Sequence, residues 1–268
     1  MTRAAIIGVT GRMGRELIRA ARESSSGISV VAAVASPTSA AVGKDAGEIA
    51  GIGAIGVRVT NELAAVLPQV DVAIDFSTAQ TTQSNLTACC VARKPLLIGT
   101  TGFPTDLTVA FTAAAQEIPL LVAPNTSVGV TLLIELVRAA ARALPEQFDI
   151  EIVEAHHRMK RDAPSGTALA LGRAAAEGRD QSFDLQDARL GGQARRGGEI
   201  GFAVVRGGDI VGEHAVLFAG MGESLTLSHR ATDRAIFARG AVRAAAWLAS
   251  RPAGRYFMRD LVTYKSGS

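Results

Sequence analysis

The chain has 268 residues, 48% hydrophobic and 20% charged, a balance that fits a folded globular protein and excludes a disordered one, at a length that suggests about two domains. A net charge of +3, with no basic run interleaved with aromatics, excludes a nucleic-acid groove as the organising feature. The only cysteines, Cys89 and Cys90, are adjacent, which excludes a disulfide framework and suits a reducing compartment; with no signal-peptide pattern and no membrane-length apolar stretch, the expectation is a cytoplasmic protein with neither a membrane nor nucleic acid as partner.

Residues 4–9 read as a buried strand, and 12–22 then shift to helical spacing with Met13, Leu17, Ile18 and Ala21 on one side. Further short apolar runs at 29–35, 57–59, 71–75, 96–98 and 120–123 read as strands, with helices over 61–66, 79–92 and 105–117. Strands alternating with helices indicate a parallel sheet covered on both faces. The pattern changes at Ala123-Pro124-Asn125. A helix is predicted over 128–143, a strand over 150–154 and a helix over 166–177. A Gly-, Arg- and Gln-rich loop spans 178–198, with turns at Gly191-Gly192 and Gly197-Gly198. Close-set strands follow at 199–205, 211–218 and 223–229, and a final helix over 232–249. Grouped strands with separate helices form an α+β pattern, so a domain boundary is expected near residue 125. The last four residues are expected to fray.

The turn Gly8-Val9-Thr10-Gly11-Arg12-Met13-Gly14 lies where the first strand becomes the first helix. Gly8 suits a tight turn, Gly11 leaves room for a pyrophosphate at the backbone, and Gly14 permits close helix–sheet packing. The helix N-terminus adds free amides and the positive end of its dipole, and Arg12 can pair with a phosphate. The spacing alone is weak, but its strand–turn–helix context points to a dinucleotide site; the bland alternative is a structural glycine turn. An acidic residue about 20 positions on would grip an NAD ribose. Ala35-Ser36-Pro37 stands there instead, so the choice between NADH and NADPH stays open, with Ser36 and Arg12 available to a 2′-phosphate. Two further loops, Asp75-Phe76-Ser77-Thr78 and Gly99-Thr100-Thr101-Gly102-Phe103, fall at strand ends where a cofactor would lie, and Asp75 needs a partner or water.

The densest chemistry is Glu154-Ala155-His156-His157-Arg158-Met159-Lys160-Arg161-Asp162-Ala163-Pro164-Ser165-Gly166-Thr167. If the extended chain continues past the strand, the two imidazoles diverge, one to face a substrate and one to brace the loop. The cations suit an anionic small molecule, and Ser165-Gly166-Thr167 opens a helix whose amides and hydroxyl can hold a carboxylate. Adjacent histidines lack metal-ligand spacing and three cations stand nearby, so no metal is expected; Ser165 is not in a nucleophile elbow. Lys160 or His157 can donate a proton as a hydride arrives. The residues alone do not separate these roles.

These segments, with Ile200-Gly201-Phe202, Arg206 to His214, Ser228-His229 and Met258-Arg259-Asp260-Leu261, resemble the bacterial dihydrodipicolinate reductases over essentially the whole chain. The resemblance implies reduction of 4-hydroxy-tetrahydrodipicolinate to tetrahydrodipicolinate by NADH or NADPH with loss of water, in the diaminopimelate route to lysine. It implies His156 as general acid/base, Lys160 as proton donor or charge stabiliser, and His157, Gly166 and Thr167 as contacts of a cyclic dicarboxylate. Cofactor contacts are assigned to Gly8, Thr10, Gly11, Arg12, Met13, Gly14, Ser36, Phe76, Gly99, Thr100, Thr101, Pro124 and Asn125. The implied fold is α/β: a Rossmann dinucleotide-binding domain of residues 1–125 plus 236–268, rejoined by the C-terminal helix and a strand region at 258–260. A second α+β domain, 126–235, binds substrate and builds a homotetramer through an open mixed sheet, its 178–198 loop reaching neighbouring subunits. Ala35-Ser36, Ser77 with Ala79, and Met159 depart from the family pattern, and bear on cofactor choice and loop charge more than on reaction type. The alternatives are another NAD(P)-dependent oxidoreductase of this two-domain type acting on an amino-acid precursor, and an NAD(P)-binding sensor without catalysis.

Overall fold

In a computed structural model, residues 1–25, 27–104, 107–184 and 195–263 are described. The chain forms two compact units, Met1–Ser127 with Ala235–Ser268, and Val128–Arg234.

The first unit runs β1 (Thr2–Ile7), α1 (Arg12–Glu23), β2 (Ile28–Val34), α2 (Ala46–Ala50), β3 (Val59–Thr60), α3 (Leu63–Val66), β4 (Val72–Asp75), α4 (Ala79–Val91), β5 (Leu96–Ile98), α5 (Leu107–Ala114) and β6 (Pro119–Val122). Its parallel sheet has the order β6-β5-β4-β1-β2-β3, with a further strand beyond β6 supplied by the C-terminal segment. Both faces are buried: Ala5, Ile7, Ala73 and Ile98 join Leu86, Leu107 and Phe111 in one cluster, while Ala4, Ile6, Ile74 and Leu97 are fully covered as well. That explains why these strands are apolar runs without alternation. The order reverses between β1 and β4, where a doubly wound sheet opens a ligand crevice at its carboxyl edge.

The second unit contains α6 (Val128–Ala143), β7 (Asp149–His156), α7 (Gly166–Gly178), β8 (Ile200–Arg206), β9 (Gly212–Ala219) and β10 (Ser224–Ala231). Its mixed sheet has the order β10-β9-β7-β8, with β7 and β8 parallel and the other pairs antiparallel. Helices α6 and α7 pack on each other, and Leu133, Val137 and Leu171 from them meet Ile150, Ile152, Val216 and Phe218 from the sheet in one core. On the other face Val153 and Val205 stay 40% and 48% exposed.

The chain then returns to the first unit as α8 (Ala235–Leu248), β11 (Gly254–Tyr256) and α9 (Met258–Thr263). Helix α8 packs on α1 and on β4 and β5. It approaches so closely at Gly240 that a Cβ there would lie 1.8 Å from the Thr126 carbonyl oxygen, and Thr126 donates its hydroxyl to the Phe237 carbonyl at 2.7 Å.

Three expectations need correction. The 258–260 region is helical: the Asp260 carboxylate accepts from the Phe257 amide at 2.8 Å and caps α9, while the strand lies just before it. The strand expected to stop at 154 runs through His156, because β8 pairs with it as far as His156 and Arg206. Helix α2 was not expected; Asp45 starts it, accepting from the amides of Gly47 and Glu48. The turn at Gly191-Gly192, the centre of the 178–198 loop and the last four residues lie outside the described residues.

Candidate active site

The cofactor candidates all follow strands of the parallel sheet, so they share its carboxyl edge. Gly8 has φ +84°, which ends β1 and turns the chain toward α1. A Cβ on Gly8 would lie 2.6 Å from the Phe76 carbonyl oxygen, because the turns after β1 and β4 meet where the sheet order reverses. A Cβ on Gly14 would lie 2.3 Å from the Gly8 carbonyl oxygen, so α1 can rest on its own entry turn only as glycine. Gly11 is the N-cap of α1; with no side-chain cap bond and no acid in the first turn, the amides at Arg12, Met13 and Gly14 face outward with the positive end of the helix dipole. Such an end fits the phosphates of a dinucleotide, with Arg12 exposed beside it and Thr10 half-buried.

The neighbouring turns are built around this one. Gly8 and Val9 both donate their amides to the Val34 carbonyl at the end of β2; two residues on, the Ser36 hydroxyl meets that of Thr38 at 3.1 Å. Asp75 is fully buried, and its carboxylate accepts from the Ser77 amide and hydroxyl and from Asn85 Nδ2. Its partners are therefore internal, and it fixes the turn that carries Phe76. The Phe76 ring fills the space above Gly99, where a Cβ would fall 2.0 Å from it. Thr100 is buried, with its hydroxyl 3.4 Å from the Asp75 carbonyl, and Thr101 is exposed. Pro124 is exposed; Asn125 makes a local bond, accepting from the Ser127 amide at 2.9 Å.

In the second unit the polar residues gather at one end of the mixed sheet. Strand β7 alternates strictly, with Ile150, Ile152, Glu154 and His156 facing α6 and α7. Glu154 has no exposed surface. Its carboxylate accepts from Arg206 twice at 2.7 Å, from the Ser165 amide at 3.0 Å, and lies 2.5 Å from His156 Nδ1. Burial pushes the Glu154 carboxyl up, but these donors outweigh it and hold it below the ordinary range. Burial also pushes the His156 imidazole down, with Glu154 opposing and Lys160 and Arg206 assisting. His214 on β9 is paired in register with Glu154, and its ring sits edge-on to His156 at 5.1 Å. His214 Nε2 lies 3.0 Å from the Ser165 hydroxyl, and burial, with His156 beside it, pushes His214 down to about 4.

The loop after β7 is held by the same group of residues. His157 is half-buried and its carbonyl accepts from the Lys160 amide. Lys160 Nζ donates to Asp162 Oδ2 at 2.8 Å, and the Asp162 carbonyl accepts from Arg206 at 2.7 Å. Ser165 caps α7 through the Ala168 amide. Gly166, next in line, is exposed, and a Cβ there would meet nothing within 4 Å; Thr167 beside it is half-buried. Arg206 and His214 carry no weight in the local motif because they arrive from β8 and β9. The legible signal was Glu154 and His156 in phase with Ile150 and Ile152, on the otherwise apolar face of the strand. Among the described residues no group of three or more His, Cys, Asp or Glu could hold a metal ion, and no helix is long and apolar enough to cross a membrane.

A doubly wound parallel sheet with an uncapped glycine turn, carried in one chain with a mixed-sheet unit that presents a buried acid, two histidines and a lysine, defines a two-unit oxidoreductase of the Rossmann class. Residues 2–126 match the family described as dihydrodipicolinate reductase, N-terminus, and residues 129–262 match its C-terminus; the chain belongs to this family. The 4-hydroxy-tetrahydrodipicolinate reductase of Alkalilimnicola ehrlichii is 52% identical over 266 residues, covering 97% of this chain and 98% of that protein. The enzyme of the same name from Chromohalobacter salexigens is 47% identical, covering 99% and 100%. Among solved structures, a dipicolinate-bound dihydrodipicolinate reductase from Paenisporosarcina sp. TG-14 superposes with a TM-score of 0.76 at 26% identity, over 96% of this chain and 97% of that one. An amine dehydrogenase from Mycobacterium smegmatis, at TM-score 0.61 and 16% identity over 96% and 95%, shares the fold alone.

Proposed function

We propose that the chain reduces 4-hydroxy-tetrahydrodipicolinate to tetrahydrodipicolinate, taking a hydride from NADH or NADPH and releasing water, in the diaminopimelate route to lysine. The observation that carries this reading is the continuous chain of contacts from Lys160 through Asp162, Arg206 and Glu154 to Ser165, which joins a cation to the open start of α7. An ammonium beside an anion-binding helix end suits a ring that bears carboxylates and gains negative charge during reduction. The relatives' names, and the dipicolinate in the Paenisporosarcina structure, support the same substrate class.

The reduced nicotinamide, when bound, supplies the hydride delivered to C4 of the ring. Residues 1–125 with 236–268, within the first unit, are assigned to the cofactor, with the phosphates at Gly11, Arg12 and Met13 on the uncapped start of α1. Ser36 takes the ribose side; Phe76, Gly99, Thr100, Thr101, Pro124 and Asn125 line the rest of the carboxyl edge. Residues 126–235, which hold the second unit, are assigned to the substrate. The amide of Gly166 and the hydroxyl of Thr167 hold one carboxylate, and the missing side chain at Gly166 lets it approach. His157 contacts the ring. Lys160 neutralises the charge that builds as the hydride arrives and gives up a proton; His156 exchanges a proton as the hydroxyl departs as water. The exposed Val153 and Val205 support burial of the open sheet face in a homotetramer. Two adjacent free cysteines suit a cytoplasmic setting.

The test is to mix the protein with freshly generated substrate and follow oxidation of NADH and NADPH in parallel. Turnover with either supports the reading; no turnover with both overturns it. Lys160→Ala is expected to lower kcat by roughly 10²–10⁴-fold while NADPH affinity, measured by fluorescence titration, stays within about twofold of the parent, since the Lys160 ammonium is assigned to the substrate and not to the cofactor.

A further inference from the structure

We propose that Glu154 is the positioning residue of this site: its carboxylate accepts the Nδ1–H of His156 and keeps the proton on that nitrogen, making Nε2 the proton-exchanging nitrogen, and ties that ring to the Lys160 loop and to the start of α7. The inference rests on the reductase reading for its catalytic consequence, but its first consequence is structural and needs no substrate.

A carboxylate offers about four lone-pair positions and no proton. At Glu154 four donors fill them: two guanidinium N–H groups of Arg206, the Ser165 amide and His156 Nδ1. An ionised carboxylate cannot donate, so the 2.5 Å contact with His156 requires the proton on Nδ1. In the neutral ring Nε2 is then bare and can only accept. The opposite tautomer would set a lone pair against a buried anion, which costs the bond and leaves a fully buried charge partly unsatisfied.

The groups around the ring agree with this arrangement. Arg206 and Lys160 are cations on the β8 and loop sides, and His214 on β9 is pushed down to about 4, so Glu154 is the one anion bonded to the ring among the described residues. On the Nε2 side stands Gly212, where an added Cβ would lie 3.1 Å from the nitrogen. Glycine there keeps a side chain off the working atom. Arg206 extends the control, because the guanidinium that binds Glu154 also donates to the Asp162 carbonyl, two residues after Lys160. One buried carboxylate thus sets a ring's tautomer, the loop that carries the ammonium, and the amide preceding Gly166. The site at rest has a proton acceptor at His156 Nε2 and a donor at Lys160.

The test combines a spectrum with kinetics. With four histidines in the chain, selective ¹⁵N-histidine labelling gives a spectrum that single substitutions can assign. At pH 7.5 the parent, free of ligands, is expected to show His156 with Nδ1 protonated and Nε2 unprotonated; a protonated Nε2 with bare Nδ1 overturns the proposal. In Glu154→Gln, kcat is expected to fall roughly 10–100-fold with KM within threefold. Its pH profile should shift to lower pH on the limb set by His156, because the imidazolium loses its anion. An unchanged profile and an unchanged tautomer in that variant would make Glu154 merely structural and also overturn the proposal. If the variant does not fold, the parent spectrum decides alone. If the parent turns over no substrate, the reductase reading fails while the tautomer result still stands or falls by itself.

Discussion

The two helix starts assigned to anions in this chain are built in opposite ways. Helix α1 begins at Gly11 with no side-chain cap, on a turn whose glycines are dictated by backbone packing. Helix α7 begins at Ser165, whose side chain caps Ala168 and whose amide is already bound to a buried carboxylate, with the open Gly166 just beyond. The first has no side chain on its amides; the second has one amide bound inside the protein, and the next is the one proposed to meet the ligand. A helix end that only binds can be made from the backbone, whereas one that works beside an acid–base pair must be fixed in register with it.

The glycines at the two helix starts carry the largest expected effect. Gly14→Ala forces a Cβ to 2.3 Å from the Gly8 carbonyl, and is expected to lower stability by on the order of 2–3 kcal/mol or more in a denaturant titration, with loss of NADPH binding. Gly166→Ala meets nothing within 4 Å, so its stability should stay within about 0.5 kcal/mol, while KM for the dicarboxylate rises roughly tenfold.

The next effect is a pH dependence at the start of α7, where His214 meets Ser165. The His214 imidazole sits at about 4 against an ordinary 6.5. Between those values the unfolded chain binds more protons than the folded one, so stability is present above 6.5 and is lost as pH falls toward 4. A loss on the order of 2–3 kcal/mol is expected, and thermal unfolding at stepped pH should show it flattened in His214→Gln, which retains a partner for the Ser165 hydroxyl. The smallest effect belongs to the first unit. Arg3 holds the Asp71 carboxyl down at about 2, so its contribution is present above the ordinary aspartate value and is lost as pH falls through about 4 to about 2. The pair is more than one third exposed, and Asp71→Asn should cost less than about 1 kcal/mol at neutral pH, read from the same denaturant curves.

The start of α1 was legible in the sequence and the start of α7 only in part. The β1–turn–α1 unit is local, and its glycines carry their reasons within seven residues. The His156 to Thr167 stretch was equally visible, but the residues that organise it were not, since Arg206 and His214 are about fifty residues away and meet Glu154 only through strand register. The family resemblance misled at Met258, where the strand region it implied over 258–260 is a helix capped by Asp260. For the two adjacent histidines the strand's phase decides: β7 runs one residue pair further than periodicity suggested, so His156 turns inward to Glu154 and His157 is left half-buried.

The most direct test of the account is a crossed calorimetric titration, with NADPH added to the free protein and dipicolinate to the cofactor-saturated protein, for Arg12→Ala and Thr167→Val. Arg12→Ala is expected to weaken NADPH by about tenfold or more and leave dipicolinate unchanged, and Thr167→Val to do the reverse. If either substitution weakened both ligands equally, or if Thr167→Val left dipicolinate binding intact, the division of anions between the two helix starts would be contradicted.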